Sequence, residues 1–194
     1  MSSPAMLEPL LAPLAAIQRV IEKLENRGVI IGGIAASLLG EPRLTADADA
    51  LVLLSIDEVP LLIELAQAEG LHPRFADIVE FARRSRVVLL RHPESGIDVD
   101  ISLGLLPFEI EAVERSQEHR AGSLTVRLPT PEDLIILKAV AHRQKDMLDI
   151  EAVIAAQPHL DKERIAFWVR QFAELLEMPE LWTDVERLLD NAPS

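Results

Sequence analysis

The sequence predicts an α/β fold, of the α+β kind, in which strands and helices interleave up to about residue 128 and helices alone follow. Three observations carry this. Period-two alternation at residues 47–52 and 97–103 reads as two half-buried strands. Apolar residues recurring at three- and four-residue steps, as in Leu10, Leu14, Ile17, Ile21 and Leu24, read as amphipathic helices. From Thr130 onward, helical patterns succeed one another without a further strand signal. The expected division is a core over residues 1–128, including the N-terminal helix, and a helical region over residues 129–194 packed on it.

Composition narrows the function classes. With 194 residues and 49% hydrophobic content, the chain is long enough to bury a sizeable core and is not of disordered type. It has no cysteine, which excludes disulfides, thiol catalysis and Cys-ligated zinc and fits a cytoplasmic location. A net charge of −13 argues against indiscriminate nucleic-acid binding, which needs a basic surface. Aromatics make up 4% with no tyrosine, too few for base-stacking platforms. No run has the length of a membrane span or the charged start of a signal peptide.

Taken in order, residues 1–6 read as a frayed terminus and residues 7–26 as a helix despite its early prolines. Val29, Ile30 and Ile31 form a short buried strand. Gly32 and Gly33 follow, then a small-residue helix over 34–39, a turn with Gly40 and Pro42, and a second strand with Asp47 and Asp49 on one face. In a regular strand those carboxylates stand about 7 Å apart and repel each other. They read either as solvated acids on an edge strand or as hard oxygen ligands for a divalent metal. The glycine pair favours the second reading: at a strand-to-helix junction it lets backbone N–H groups approach a phosphate.

Further on, Ser55 or Asp57 caps a helix over 58–68 that Gly70 ends, residues 74–84 read as a short helix, and 85–91 as a strand. Arg74, Arg83, Arg84, Arg86 and Arg91 form a local basic excess, either an ordinary solvated face or a contact surface for triphosphate or an RNA backbone. The strand at 97–103 puts Asp98, Asp100 and Ser102 on one face. Residues 107–115 read as a helix whose Phe108 and Ile110 dock on the core. Residues 123–128 read as a strand extending upstream towards His119. Thr130, Pro131, Glu132 and Asp133 make a strong helix start. Two helices, 131–142 and 145–156, carry a charged cluster of Asp133, Lys138, His142, Arg143, Lys145, Asp146 and Asp149. Two more amphipathic helices lie within 160–190 and bear both tryptophans.

The run Gly32-Gly33, helix, Arg43-x-Thr45 and Asp47-Ala48-Asp49-Ala50 resembles the signature of the DNA polymerase β-type nucleotidyltransferase superfamily. It is most similar to small bacterial members related to abortive-infection and toxin–antitoxin nucleotidyltransferases. The run EDLIILKAVAHRQKDMLDI resembles a helical motif of those toxin-like members. Together the two matches cover roughly residues 25 to 155 and imply a mixed sheet flanked by helices. They further imply that Asp47, Asp49 and Asp100, with Asp98 in reserve, bind Mg²⁺ or Mn²⁺. Gly32, Gly33, Arg43, Thr45 and Lys138 would hold the NTP, and Arg143 and Asp146 would support that set from behind. The implied reaction transfers NMP to an acceptor hydroxyl on tRNA, a protein or a small molecule. The alternative is a catalytically silent scaffold of the same fold that binds nucleotide or a partner protein. Gly33, where many relatives carry a serine, keeps that alternative open.

Overall fold

The computed structural model describes residues 4–43 and 45–191; the expected frayed start at residues 1–6 lies partly outside them. Among these residues the chain forms a five-stranded mixed sheet of order β1-β2-β5-β4-β3 and a separate hairpin, β6-β7. The strands are β1 (Gly28–Ile31), β2 (Asp47–Val52), β3 (His72–Pro73), β4 (Val87–His92), β5 (Ile97–Leu103), β6 (Gln117–Ala121) and β7 (Leu124–Leu128). The pairs β1/β2, β4/β5 and β3/β4 are antiparallel, and β2/β5 is parallel.

The sheet's two faces differ because its strands alternate. Ala48, Ala50, Val52, Val99, Ile101, Leu103, Val88 and Leu90 point to one face and join the main core. On that side lies α1 (Pro4–Lys23), whose stripe of Leu10, Leu14, Ile17 and Ile21 is buried, as is Leu24 just past its end. The opposite face carries the acids of β2 and β5 and, at one end, a small apolar cluster of Val29, Leu51 and Val113.

The remaining helices are α2 (Gly32–Leu39), α3 (Val59–Ala68), α4 (Ile78–Ser85), α5 (Pro107–Glu114), α6 (Pro131–Ala141), α7 (Gln144–Ala156), α8 (Lys162–Leu175) and α9 (Glu180–Asp190). Their caps follow the sequence signals. Ser55 and Glu58 form a capping box ahead of α3, and Thr130 accepts the Asp133 N–H at the start of α6. The buried residues of α6–α9 are continuous with the main core, and Phe108 of α5 packs against Trp168 and Phe172 of α8.

Four local readings change. The glycine pair is the first turn of α2 and does not precede the helix. Residues 74–77 stand outside α4. Ile110 is 39% exposed, on the outer side of α5, while Phe108 is buried. The segment upstream of residue 123 does not extend β7: Gly122, at φ +63°, turns the chain back and makes residues 117–121 its antiparallel partner.

Candidate active site

The parallel seam between β2 and β5 gathers four aspartates. Asp47 pairs in register with Asp98, and Asp49 with Asp100, so the four make a two-by-two patch on one face. Ideal spacings are about 7 Å along a strand and about 5 Å across. Beneath them Ala48 and Ala50 are fully buried, and those small side chains let the strand sit low in the core.

Burial, then Asp47 and Asp100, raise the Asp49 carboxyl to about 6. Burial also raises Asp100, outweighing the opposing charge of Arg74, with Asp47 and Asp98 adding to the rise. The patch thus holds negative charge that its surroundings incompletely neutralise. That is the chemistry of a hard-cation site, and Mg²⁺ fits it by taking a few carboxylates while keeping its own waters. Among the described residues no three acidic or histidine side chains converge into a ready-made cage.

Gly32 closes over this patch. Its φ is +69°, and a Cβ there would lie 2.0 Å from Asp49 Oδ2. The start of α2, which has no side-chain cap, therefore comes directly against Asp49. Gly32→Ala should cost about 1–2 kcal/mol for the left-handed backbone alone, and must also push Asp49 aside. The expected result is a lower melting temperature and loss of any metal-dependent stabilisation. A Gly32→Ala protein that melts like wild type with and without Mg²⁺ would show that this close approach is unimportant.

Gly33 is crowded in another way: a Cβ there would meet Thr45 Oγ1 at 2.9 Å and Arg43 Nη2 at 3.0 Å. A serine at Gly33 would require Thr45 and the Arg43 guanidinium to shift, because this chain fills the space with them. Thr45 donates to Asp47 Oδ1 at 2.9 Å. Ser37 of α2 donates to the carbonyls of Gly33 and Arg43, tying the loop to the helix.

Behind the patch runs a ladder of alternating charges. Arg43 donates to Asp149 at 2.5 and 2.8 Å. Lys138 Nζ lies 2.6 Å from Asp149 and 3.0 Å from Asp146. Arg143 reaches Asp146 at 2.6 Å. Burial alone would raise both aspartates, yet hydrogen bonds from Arg143 and Lys138 hold Asp146 below the ordinary range, and those from Arg43 and Lys138 do the same for Asp149. Lys138 is 5% exposed, so the ladder's centre is inside the protein while its arginine ends emerge. Those ends sense the carboxylates: Asp47 acts on Arg43, and both Asp49 and Asp47 act on Arg143.

The patch therefore brings together Asp47, Asp49, Asp98, Asp100, Gly32, Gly33, Thr45 and the arginines Arg43 and Arg143. Lys138 and Asp146 lie beneath those arginines. Asp133 belongs elsewhere, buried against Arg115 and Arg164. Two further residues join the patch: Lys145, which the sequence left without a role, and Arg74, which the sequence offered only as part of a solvated face or a phosphate-contacting surface. Lys145, exposed in the first turn of α7, acts electrostatically on Asp49; its place beside Asp146 in the helical motif was the available signal. Arg74 spans Asp100 at 2.5 Å and Asp98 at 3.2 Å. Of its basic neighbours, Arg86 binds the Leu103 carbonyl and Arg91 the Gly96 carbonyl, so the five arginines do not form one outward patch.

An open mixed sheet with paired aspartates on neighbouring strands and a glycine-led helix against them defines a nucleotidyltransferase-like fold. The chain belongs to the family described as nucleotidyltransferase of unknown function (DUF6036), whose model matches residues 8–166. Similar solved structures include an antigenic nucleotidyltransferase-like protein from Paracoccidioides brasiliensis, with TM-score 0.52, 17% identity and 90% of each chain covered. The antibiotic-resistance factor ANT(2'')-Ia is similar at TM-score 0.55 and 15% identity, over 87% of this chain and 95% of its own. JHP933 from Helicobacter pylori matches at TM-score 0.50 and 13% identity, over 98% and 94%. At these identities the structural matches establish the fold alone. No curated protein matches the sequence. Among the described residues no helix is long and apolar enough to cross a membrane.

Proposed function

We propose that the chain is a Mg²⁺-dependent nucleotidyltransferase that moves NMP from an NTP to an acceptor hydroxyl. The observation that carries this reading is the half-buried Asp49, flanked by Asp47 on its own strand and by Asp100 across the β2/β5 seam, and closely approached by Gly32. Family membership supports nucleotidyl transfer in general.

In this reading Asp47, Asp49 and Asp100 hold the metal, which when bound neutralises their charge and that developing on the phosphates. The uncapped start of α2 offers N–H groups to the triphosphate. Arg43 and Arg143, fixed by Asp149 and Asp146, flank the phosphates with preorganised positive charge, and the exposed Lys145 adds another. Lys138 acts from beneath by holding both aspartates in place. The acceptor oxygen bonds to the α-phosphorus as the bond to the bridging oxygen of the β-phosphate breaks, and pyrophosphate leaves. Asp100 takes the hydroxyl proton.

The acceptor is either tRNA, a protein side chain or a small molecule. The net charge of −13 favours a cationic small molecule or a protein, and one similar fold is that of an antibiotic-resistance factor. The resemblance of the α6–α7 run to toxin-like members supports a toxin-like role with a partner antitoxin. Thermal unfolding with each NTP, with and without Mg²⁺, tests the site without knowledge of the acceptor. Stabilisation that needs both NTP and metal is expected, at RT ln(1 + [L]/Kd), or about 2.7 kcal/mol at a hundredfold excess over Kd. Absence of a shift with every nucleotide would favour the silent-scaffold alternative.

A further inference from the structure

Arg74 is the cation that the acid patch already contains. It enters from the residue after β3, where its N–H binds the Leu89 carbonyl, and its guanidinium lies across Asp98 and Asp100. This arrangement is close but incompletely satisfied: Arg74 Nε and Asp98 Oδ1 are buried without a hydrogen-bond partner. Asp100 is the third acid of the proposed metal set, so one carboxylate has two claimants.

Resting on the nucleotidyltransferase reading, we propose that Arg74 is a built-in competitor for the divalent metal: it occupies Asp100 in the metal-free protein and must release it, retaining Asp98 as its anchor, for Asp47, Asp49 and Asp100 to act together. Three features support this. The register places Asp98 beside Asp47 and Asp100 beside Asp49, so a guanidinium bridging Asp98 and Asp100 holds Asp100 towards β4. No ready-made three-ligand cage exists among the described residues while that bridge is closed. Asp98 offers a place for Arg74 to stay after release, with Arg91 Nη1 3.5 Å from its other oxygen. Asp98 therefore acts as a positioning residue for Arg74, and metal affinity is set by the difference between two cations' hold on Asp100.

The test is direct Mn²⁺ binding to the full chain, read by electron paramagnetic resonance as loss of the free-ion signal, with no nucleotide and no turnover. Arg74→Gln should bind Mn²⁺ roughly tenfold more tightly than wild type, since a competing charge worth about 1.4 kcal/mol or more at this distance has gone. Arg74→Lys keeps a positive charge but not the two-pronged grip, and should tighten binding by a smaller factor. It also provides the readout if the glutamine variant does not fold. Unchanged binding in both variants overturns the competition, and weaker binding overturns it by making Arg74 a support for the metal; either result leaves the metal site itself intact. If neither wild type nor the Arg74 variants bind Mn²⁺ in a manner abolished by Asp49→Asn, the metal reading falls together with this one.

Discussion

Asp49→Asn is expected to abolish transfer and yet, in metal-free buffer above pH 6, to melt higher than wild type. Loss of a central metal ligand should remove several kcal/mol of transition-state stabilisation, on the order of a thousandfold in rate. Stability moves the other way. Burial and then the neighbouring acids raise Asp49 from 3.8 to about 6, so the folded state holds this proton more tightly than the unfolded state does. Its effect on stability is therefore absent below pH 4 and becomes progressively unfavourable as pH rises through 6. The difference between 3.8 and about 6 is worth about 3 kcal/mol, or roughly 6–12 °C in a protein of this size. Asparagine keeps the shape and removes the charge. Mg²⁺ should stabilise wild type and leave the variant unchanged. Melting curves at pH 5 and 8, with and without Mg²⁺, read the sign. Label transfer from an α-labelled NTP into a cell extract reads the activity. A variant that transfers at the wild-type rate would remove Asp49 from the site.

Lys138→Met should produce the opposite stability change at every pH where the carboxylates are ionised. The methionine fits the space but leaves Asp146 and Asp149, both buried, without their shared cation. Breaking a buried pair by removing one partner costs about 3–5 kcal/mol. The low end applies because Arg143 and Arg43 each still hold one aspartate. A fall of roughly 6–12 °C is expected. Adding Asp149→Asn should recover part of it, since one orphaned charge disappears. A direct phosphate-binding role for Lys138 predicts instead a folded, stable protein with weakened NTP affinity, and the melting temperature separates the two.

The acids of this site were legible in the sequence because strand alternation is a local rule. Asp47 with Asp49, and Asp98 with Asp100, had to share a face once their strands were recognised, and the glycine pair marked where backbone would come close. Thr130 announced α6 in the same local way. What stayed hidden depends on chain reversals. His142 adopts a left-handed backbone, φ +48°, that folds α7 back on α6 and carries Asp146 and Asp149 onto Lys138. A lysine four residues from a histidine on one helix face looks exposed until that turn is known. Arg74 was lost among five arginines because β3 spans two residues and offers no alternation to aim it. The hairpin strand β6, with sequence QEHRA, is too polar to announce itself, since only Ala121 in it is buried.

The parallel seam has a further consequence for how the molecule comes apart. β1, α2 and β2 form one sequence-local unit, and β3, α4, β4 and β5 form another, the latter closed by the tight turn at residues 93–96. Among the described residues the two are stitched within the sheet only where β2 meets β5. Like charges crowd along that same line, so the metal-free protein concentrates its electrostatic strain at the boundary between two independently connected pieces. Cooperative units separate where their shared boundary is weakest. On the proposed reading, a divalent cation bound to Asp47, Asp49 and Asp100 would thus also be the clasp between the two halves of the sheet.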